Sequence, residues 1–361
     1  MKFSLRSTYA LILFWFGITA AHAGGHHQND VARYLAGLEP AAHSGEHALT
    51  QDPAWAAHAE AMNNAWARLE ASQLGPVRAW SAANLAPGSP TLLYMFSGPD
   101  YLYARNFFPD ARTYVLAGLE PPGRMIRLQG VAPEDRQRGL ESLRESLKTI
   151  LDASFFITAD MQKDLQGHAF SGVLPLLYTF LARSGMEITL VRHVGLVEDG
   201  STVVMQQPAR VRPNGIEIQF LDRERATERR LFYFSIDLSN AGLIDGAFVK
   251  FIERLGPADA FFKSASYLPH AENFLRIRNT IMAQSVRILQ DDTGVPLAAY
   301  DPAVWQVTPF GRYTRPIQMF DYMHQPALTR LFERGSPAPV NFRLGYGYGI
   351  STTGILLATR R

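Results

Sequence analysis

Two periodicities of apolar residues run through this chain. From Pro133 to Leu151, leucines and isoleucines recur every three or four positions, which predicts an amphipathic helix. From Phe232 to Leu238, apolar and polar residues alternate, which predicts a strand with one buried face. Short apolar runs at Thr91 to Phe96 and Thr113 to Leu119 predict buried strands. Helices and strands therefore share the chain.

The order of these segments predicts an α/β fold: a mixed sheet with helices on both faces, an antiparallel meander insertion and a helical N-terminal segment. Strands and helices alternate over 91–197 and again over 245–290. Between these regions, residues 202–238 carry three strand-like runs, which we expect to form the meander. We expect a hairpin turn at Asn214-Gly215, because both residues tolerate positive φ.

The N-terminal part of the mature chain differs in composition from the rest. Residues 24–52 are rich in Gly, His and Ala, and we expect a flexible, histidine-containing segment with at most one short helix, Val31 to Leu38. Asp52-Pro53 then has the N-cap and first-turn proline of a helix start. We predict one α/β domain over 53–361.

Residues 1–23 have the three parts of a secretory signal peptide. The start is positively charged, an apolar run extends from Tyr9 to Ile18, and Ala21-His22-Ala23 has the small residues that precede cleavage. A membrane anchor is the competing interpretation, but spanning a bilayer takes about 20 apolar residues and this run is shorter. We therefore expect an exported protein, either periplasmic or extracellular.

Charge and cysteine content narrow the classes of partner. The chain has 35 basic and 33 acidic residues, and removal of Lys2 and Arg6 with the signal peptide leaves 33 of each. A balanced charge gives no indication of nucleic-acid binding. The absence of cysteine excludes disulfides, thiolate metal sites and a cysteine nucleophile. No segment of the mature chain is long and apolar enough to predict an integral membrane span.

Two pairs of segments are similar to a known group of proteins. One pair is 97–104 (SGPDYLYA) with 118–121 (GLEP), and the other is 263–268 (KSASYL) with 290–296 (QDDTGVP). Together they resemble a family of exported bacterial proteins that has no known activity. The resemblance implies export. It gives no information about an activity, a cofactor or a catalytic residue, so the site has to be inferred from the residues themselves.

The mature N-terminus has the pattern of a copper site. Cleavage after Ala23 would expose Gly24-Gly25-His26, in which a free amine, two deprotonated amides and an imidazole form a square-planar nitrogen set. That geometry suits Cu(II). The alternative is a solvated tail whose composition has no functional meaning.

Two further patterns are weaker. The strand–turn–helix–strand at 91–120 has the outline of a dinucleotide or methyl-donor site, with Glu120 spaced from Gly98 like a ribose-binding acid, but the glycine-rich fingerprint is missing and export removes the usual cofactors. His43, Glu46 and His47 match the H-x-x-E-H pattern of zinc hydrolases. Gly45 between them disfavours the helix that this motif requires.

Asp291 and Asp292 follow a predicted strand, Val286 to Gln290. We predict that a helix joins it to a strand over Ala260 to Leu268, and a strand–helix–strand unit is normally a parallel crossover. The strand ends would then meet, and Tyr267 and His270 would lie beside the aspartates in the main polar cleft. The alternative is a plain Asp-Asp-Thr-Gly turn.

Two classes of function follow from these candidates. The first is an exported cell-envelope protein with a binding or structural role, contacting an unknown envelope ligand and Cu(II) at its N-terminus. The second is a hydrolase of an envelope polymer, with Asp291, Asp292, His270 and Tyr267 as its carboxylate and histidine site. A hydrolase requires these side chains to meet in one pocket at the strand ends, whereas a binding or structural protein does not.

Overall fold

The strands of the protein form one large mixed sheet. The computed structural model describes residues 27–153, 170–205, 214–347 and 349–361. The predicted signal peptide and Gly24-Gly25-His26 lie outside these residues. In the sheet, the strands take the order β4-β3-β5-β6-β2-β1-β7-β8-β10-β9. Their bounds are β1 Thr91–Tyr94, β2 Thr113–Gly118, β3 Met186–Leu196, β4 Thr202–Met205, β5 Asn214–Asp222, β6 Thr227–Ser235, β7 Ala258–Phe262, β8 Ser285–Gln290, β9 Trp305–Gly311 and β10 Gly354–Arg360.

Helices cover both faces of this sheet, so the predicted α/β class is confirmed. A wider π-helical turn, Glu70–Leu74, joins the helices Pro53–Leu69 and Gly75–Asn84 into one nearly continuous rod. The helices are α1 27–35, α2 Gly45–Ala48, α3 Pro53–Leu69, α4 Gly75–Asn84, α5 Tyr101–Phe107, α6 Pro133–Ala153, α7 Leu174–Arg183, α8 Ala247–Arg254, α9 Leu275–Gln284 and α10 Pro326–Gly335.

The centre of the sheet is parallel. Strands β6, β2, β1, β7 and β8 run in the same direction, and the antiparallel strands lie outside them at the two edges. From β1 the chain first forms β2 on one side and later β7 on the other. The point between β1 and β7 is therefore a topological switch point, where ligands of open α/β sheets bind.

Strand β1 illustrates how the sequence fills both faces. Leu92 and Tyr94 contribute to an apolar cluster on the face of the sheet that also holds residues of α1, α3, α5, α6 and α7. Leu93 contributes to the opposite cluster, with α8 and α9. A central strand with helices on both sides is buried throughout, so it is a continuous apolar run instead of an alternating one.

The prediction of a flexible segment over 24–52 is wrong for its described part, residues 27–52. Helix α1 is packed into the core, with Val31 and Leu35 fully buried. The Tyr34 ring stacks on Trp55, whose indole nitrogen donates to the Tyr34 carbonyl at 3.0 Å. The predicted start of α3 is confirmed, since Asp52 caps it and accepts from the Ala54 amide. The structure of this segment is therefore determined by long-range packing and not by its local composition.

The structure departs from three local predictions. Asn214-Gly215 is not a turn: both residues lie in β5, which pairs with β3 and β6 along its whole length. The antiparallel region is present, but β3 lies between β4 and β5, so the order differs from a simple meander. Strand β7 ends at Phe262 and not at Leu268, and a loop of unusual backbone conformation replaces its predicted second half.

Candidate functional site

A crevice opens at the carboxyl ends of the parallel strands, beside the switch point. We call it the switch-point crevice. Its walls come from the segments that follow β1, β2, β6 and β7, with Phe274 and Tyr346 added from further along the chain. Other residues that line it are Tyr94, Phe96, Ser97, Gly98, Asp100, Gly118, Leu119, Glu120, Ile236, Asp237, Leu238, Lys263, Ser264, Ala265, Ser266 and Leu268.

The loops on the two sides of the switch point hold strained backbone. After β1, Phe96 has φ 59° and Gly98 has φ 53°. After β7, Ser264, Ser266 and Tyr267 all have φ between 51° and 57°. Non-glycine residues avoid the left-handed region, and such strain persists where the surrounding structure fixes a functional shape. Three of the non-glycine residues, Phe96, Ser264 and Ser266, line this crevice, which makes it the leading candidate site.

A buried ion pair forms part of the crevice floor. Lys263 Nζ lies 2.6 Å from Asp100 Oδ2, and both side chains are almost fully buried. The same carboxylate accepts from the Tyr94 hydroxyl at 2.8 Å and from the Tyr103 amide at 3.0 Å, where it caps α5. The ammonium also lies 3.9 Å from the Tyr103 ring centroid. Burial lowers the pKa of Lys263, and the Asp100 charge partly offsets this.

Glu120 brings a second carboxylate to the crevice, just after β2. It is 5% exposed, and its Oε2 lies 3.2 Å from the Tyr233 hydroxyl, which also donates to the Glu120 carbonyl. Gly118 permits this position, because a Cβ there would lie only 2.5 Å from Glu120 Oε2. Glu120 therefore folds back over the end of its own strand, toward the loop that follows β1.

The charges around the crevice are unequal. Asp100, Glu120 and Asp237 are acidic, whereas Lys263 is basic and already paired. The Asp100 carboxylate already accepts a hydrogen bond from the Tyr103 amide in the first turn of α5. That amide is therefore not available to a phosphate. The crevice therefore favours a neutral or cationic ligand over an anionic one.

Asp291 connects two neighbouring loops. It lines neither the switch-point crevice nor the cavity that Asp292 lines. Its Oδ1 accepts from the Thr293 amide and hydroxyl, and its Oδ2 accepts from the Ser264 amide at 2.8 Å. It is 1% exposed, and burial raises its pKa. Its bonds tie the loop after β8 to the strained loop after β7, so it positions the crevice wall.

Asp292 faces a different space, which we call the second cavity. Its Oδ2 accepts from the Tyr267 hydroxyl, and both side chains line this cavity together with Tyr313 and Tyr346. Burial, with the neighbouring Asp291 charge, raises the pKa of Asp292 to about 7. This carboxyl therefore takes up a proton more readily than an exposed aspartate does.

His270 lies beside Tyr267 but outside both cavities. The two rings meet edge to face, with centroids 5.1 Å apart. Burial lowers the pKa of His270 to about 4, so its imidazole is neutral at physiological pH. Of the four residues predicted to act together, only Asp292 and Tyr267 share a cavity. Neither the crevice nor the second cavity brings this histidine together with a carboxylate.

The topological argument for this region is confirmed, although Asp291 and His270 line neither cavity. β7 and β8 are adjacent and parallel, and Phe262 pairs with Gln290. The residues missed by sequence reasoning are Lys263 and Asp100. A usable signal existed: lysine is rare in this chain, and Lys263 directly follows an apolar strand. Its partner could not be read locally, since the pairing depends on β1 and β7 being neighbours.

The histidine motif near the N-terminus lacks the geometry of a zinc site. α2 covers only Gly45–Ala48, and Ser44 caps it, so His43 lies outside the helix and is exposed. The Glu46 carboxylate is buried and lies 3.3 Å from His27 Nδ1. Within the described ranges, no three acidic or histidine side chains converge as metal ligands.

Comparison of the chain with protein-family models, with curated proteins and with solved structures found no match. The site is therefore interpreted from its own geometry. In the part of the chain that the structure describes, no helix has both the length and the apolar character needed to cross a bilayer.

Proposed function

We propose that this chain is an exported protein that binds a small, nucleoside-like molecule in the switch-point crevice. The observation that supports this most directly is the position of Glu120. In doubly wound sheets, an acidic residue after the second strand accepts a hydrogen bond from a ribose hydroxyl, and the ligand lies across the switch point. Glu120 follows β2 and faces the loop that follows β1.

The charges of the crevice narrow the ligand further. A dinucleotide needs a glycine-rich turn and a free helix N-terminus for its pyrophosphate. Here Pro99 follows the single glycine, and the Asp100 carboxylate caps a helix of only seven residues. Carboxylates repel phosphate, so we propose a nucleoside without phosphate groups, such as adenosine, and use the cationic S-adenosylmethionine as a probe of the charge of the crevice.

Export remains part of the proposal and rests on residues 1–23 alone. A nucleoside without phosphates is compatible with an extracytoplasmic location, because it does not depend on the cytoplasmic ATP and NAD pools. The role in this proposal is ligand binding at the cell envelope. The earlier hydrolase hypothesis receives less support, since Asp291 and His270 are engaged in the protein interior.

The test is calorimetric titration of the mature protein with adenosine, S-adenosylmethionine and NAD. We expect adenosine or S-adenosylmethionine to bind and NAD to bind at least about tenfold more weakly, because its pyrophosphate meets carboxylates. Glu120→Gln should weaken binding about tenfold, since it removes a charge-assisted hydrogen bond.

Glu253→Gln is the matched control, because Glu253 is exposed on α8, away from the crevice-lining residues. It should leave the affinity unchanged. Binding of NAD as tight as that of adenosine, or no effect of Glu120→Gln on an observed affinity, would contradict the proposal. Failure of both nucleosides to bind would also overturn it.

A further inference from the structure

The second cavity has a chemistry of its own. It has a volume of about 670 Å³ and lies between the loop after β9 and the segment before β10. Aromatic, hydroxyl and glycine residues dominate its lining, and it has few aliphatic side chains. The lining residues are Tyr267, Asp292, Arg312, Tyr313, Thr314, Arg315, Pro316, Ile317, Leu344, Tyr346, Gly347, Gly349, Ser351, Thr352 and Gly354.

The three tyrosines of this cavity are held in place by neighbours. Phe320 packs on Tyr267 with ring centroids 5.1 Å apart and on Tyr346 at 5.4 Å. Tyr313 packs on Phe332 at 5.7 Å. Rigid aromatic rings offer apolar contact area at a low cost in conformational entropy. A ligand with flat apolar faces and polar edges matches such walls.

Two polar groups have capacity for a ligand. Tyr313 is 7% exposed, and the backbone of Gln325 bonds to its buried hydroxyl oxygen. The phenol proton can still be donated, and a ligand oxygen would accept it. Asp292 is the acidic group of the lining, and its negative charge is among the causes of the raised pKa of Tyr313. The two groups therefore lie in the same electrostatic environment.

The net charge of the cavity does not select strongly for an ion. Arg315 is already paired with Asp321 at 2.9 Å, and both side chains are largely exposed. Arg312 is also exposed. A neutral ligand with many hydroxyls can use carboxyl, phenol, hydroxyl and guanidinium groups together. An apolar ligand would leave these groups unpaired.

We propose that the second cavity is a carbohydrate-binding site, in which Asp292 and Tyr313 hydrogen-bond to sugar hydroxyls and the tyrosine rings pack on the sugar. This site goes beyond the nucleoside crevice and does not depend on it, because Asp292 and Tyr313 line the second cavity and not the crevice, although Tyr346 lines both. It would give the protein a contact with a polysaccharide of the cell envelope.

The probes are maltotriose, an α-linked glucan, and chitotriose, a β-linked amino-sugar oligomer, titrated into the mature protein by calorimetry. We expect saturable binding of at least one of them. Asp292→Asn should weaken that binding about tenfold, and Tyr313→Phe about fivefold, because each removes a hydrogen bond to the ligand while keeping the shape of the side chain. Tyr313→Phe also keeps the aromatic ring and its packing on Phe332, so its fold should persist.

Asp301→Asn is the matched control, since Asp301 is exposed outside the cavity and caps a turn that asparagine also caps. It should not change the affinity for the sugar. The proposal is overturned if neither oligosaccharide binds, or if binding is unaffected by both cavity variants. Adenosine titration of the same variants separates the two sites: loss of sugar binding with intact adenosine binding supports the proposal independently of the crevice.

Discussion

Two buried ion pairs in this protein have similar chemistry and different surroundings. Asp222 accepts from Arg105 at 3.2 Å and from Arg229 at 3.1 Å, at the amino-terminal side of the parallel sheet, where Arg229 also lines an open groove. Asp100 and Lys263 are equally buried, but they line the switch-point crevice at the carboxyl ends of the strands. The first carboxylate has two arginine partners, and the second has a lysine.

The nature of the base distinguishes the two clusters. Arginine holds its proton far more firmly than lysine does. Lysine loses its proton readily when buried, and burial already lowers the pKa of Lys263. Burial alone does not separate the clusters, because both carboxylates are almost fully buried.

The largest effect is expected from Asp222→Asn. It leaves two buried guanidinium groups without a counter-charge, and we expect a loss of about 3–5 kcal/mol in the free energy of unfolding. Urea denaturation measures it. Asp110→Asn is the control, because Asp110 pairs with Arg225 while both side chains are nearly half exposed, and its loss should stay below about 1 kcal/mol. Equal losses in the two variants would show that the Asp222 network is not structural.

A smaller loss, about 1–3 kcal/mol at pH 7, is expected from Asp100→Asn, because Lys263 can release its proton instead of staying charged and unpaired. Lysine has a pKa of about 10.4 in the unfolded chain and a lower one here. The unfolded chain then binds more protons, so the stability of the variant should rise as the pH increases toward about 10.

Urea denaturation of the Asp100→Asn and Asp222→Asn variants between pH 7 and 10 distinguishes the two pairs. Asp222→Asn should show no comparable recovery, since arginine does not titrate in this range. If both variants recover alike, the contrast between the lysine and arginine pairs is wrong.

A smaller effect of pH on stability is expected from Asp292, which is adjacent to the buried Asp291. The pKa of Asp292 is raised to about 7, against about 3.9 in an unfolded chain. The folded protein therefore binds more protons between these values, and its stability should fall as the pH rises from about 4 to 7, with a slope of up to about 1.4 kcal/mol per pH unit. Asp292→Asn should reduce this slope without abolishing it, because burial also raises the pKa of Asp291, while Asp301→Asn should leave the slope unchanged. Denaturation at several pH values is the measurement.

No effect on stability is expected at the N-terminus, where the copper prediction stands on the sequence alone. Intact mass of the exported protein should show a chain that begins at Gly24. That chain should bind one Cu(II), and a one-residue extension should abolish binding by moving His26 from third place. Visible spectroscopy follows the titration. Binding that ignores the extension would exclude the amine-and-amide site.

Local patterns predicted the elements of the fold well where each element is fixed by its own residues. The helix from Pro133 and the parallel unit of β7 and β8 follow from periodicity and from the handedness of crossovers. Asn214-Gly215 shows the opposite case. Its turn propensity is real, but pairing with β3 and β6 on both sides overrides it.

The candidate site was harder to predict because its residues are distant in sequence. Asp292 and Tyr267 were found, since one crossover unit carries both. Lys263 and Asp100 meet only because β7 returns to the free side of β1, which no local pattern reveals. The burial of α1 had the same cause, since its partners lie in a later helix.

Tyr346 is a wall of both cavities, and its hydroxyl bonds to the Ser264 carbonyl at 2.9 Å and to the Ser266 hydroxyl at 2.7 Å. A molecule that moves this side chain in one cavity changes the shape of the other. By thermodynamic reciprocity, the factor by which a sugar alters the affinity for a nucleoside must equal the factor by which the nucleoside alters the affinity for the sugar. Through the Tyr346 ring, ligand binding in the crevice and ligand binding in the second cavity would then be thermodynamically coupled.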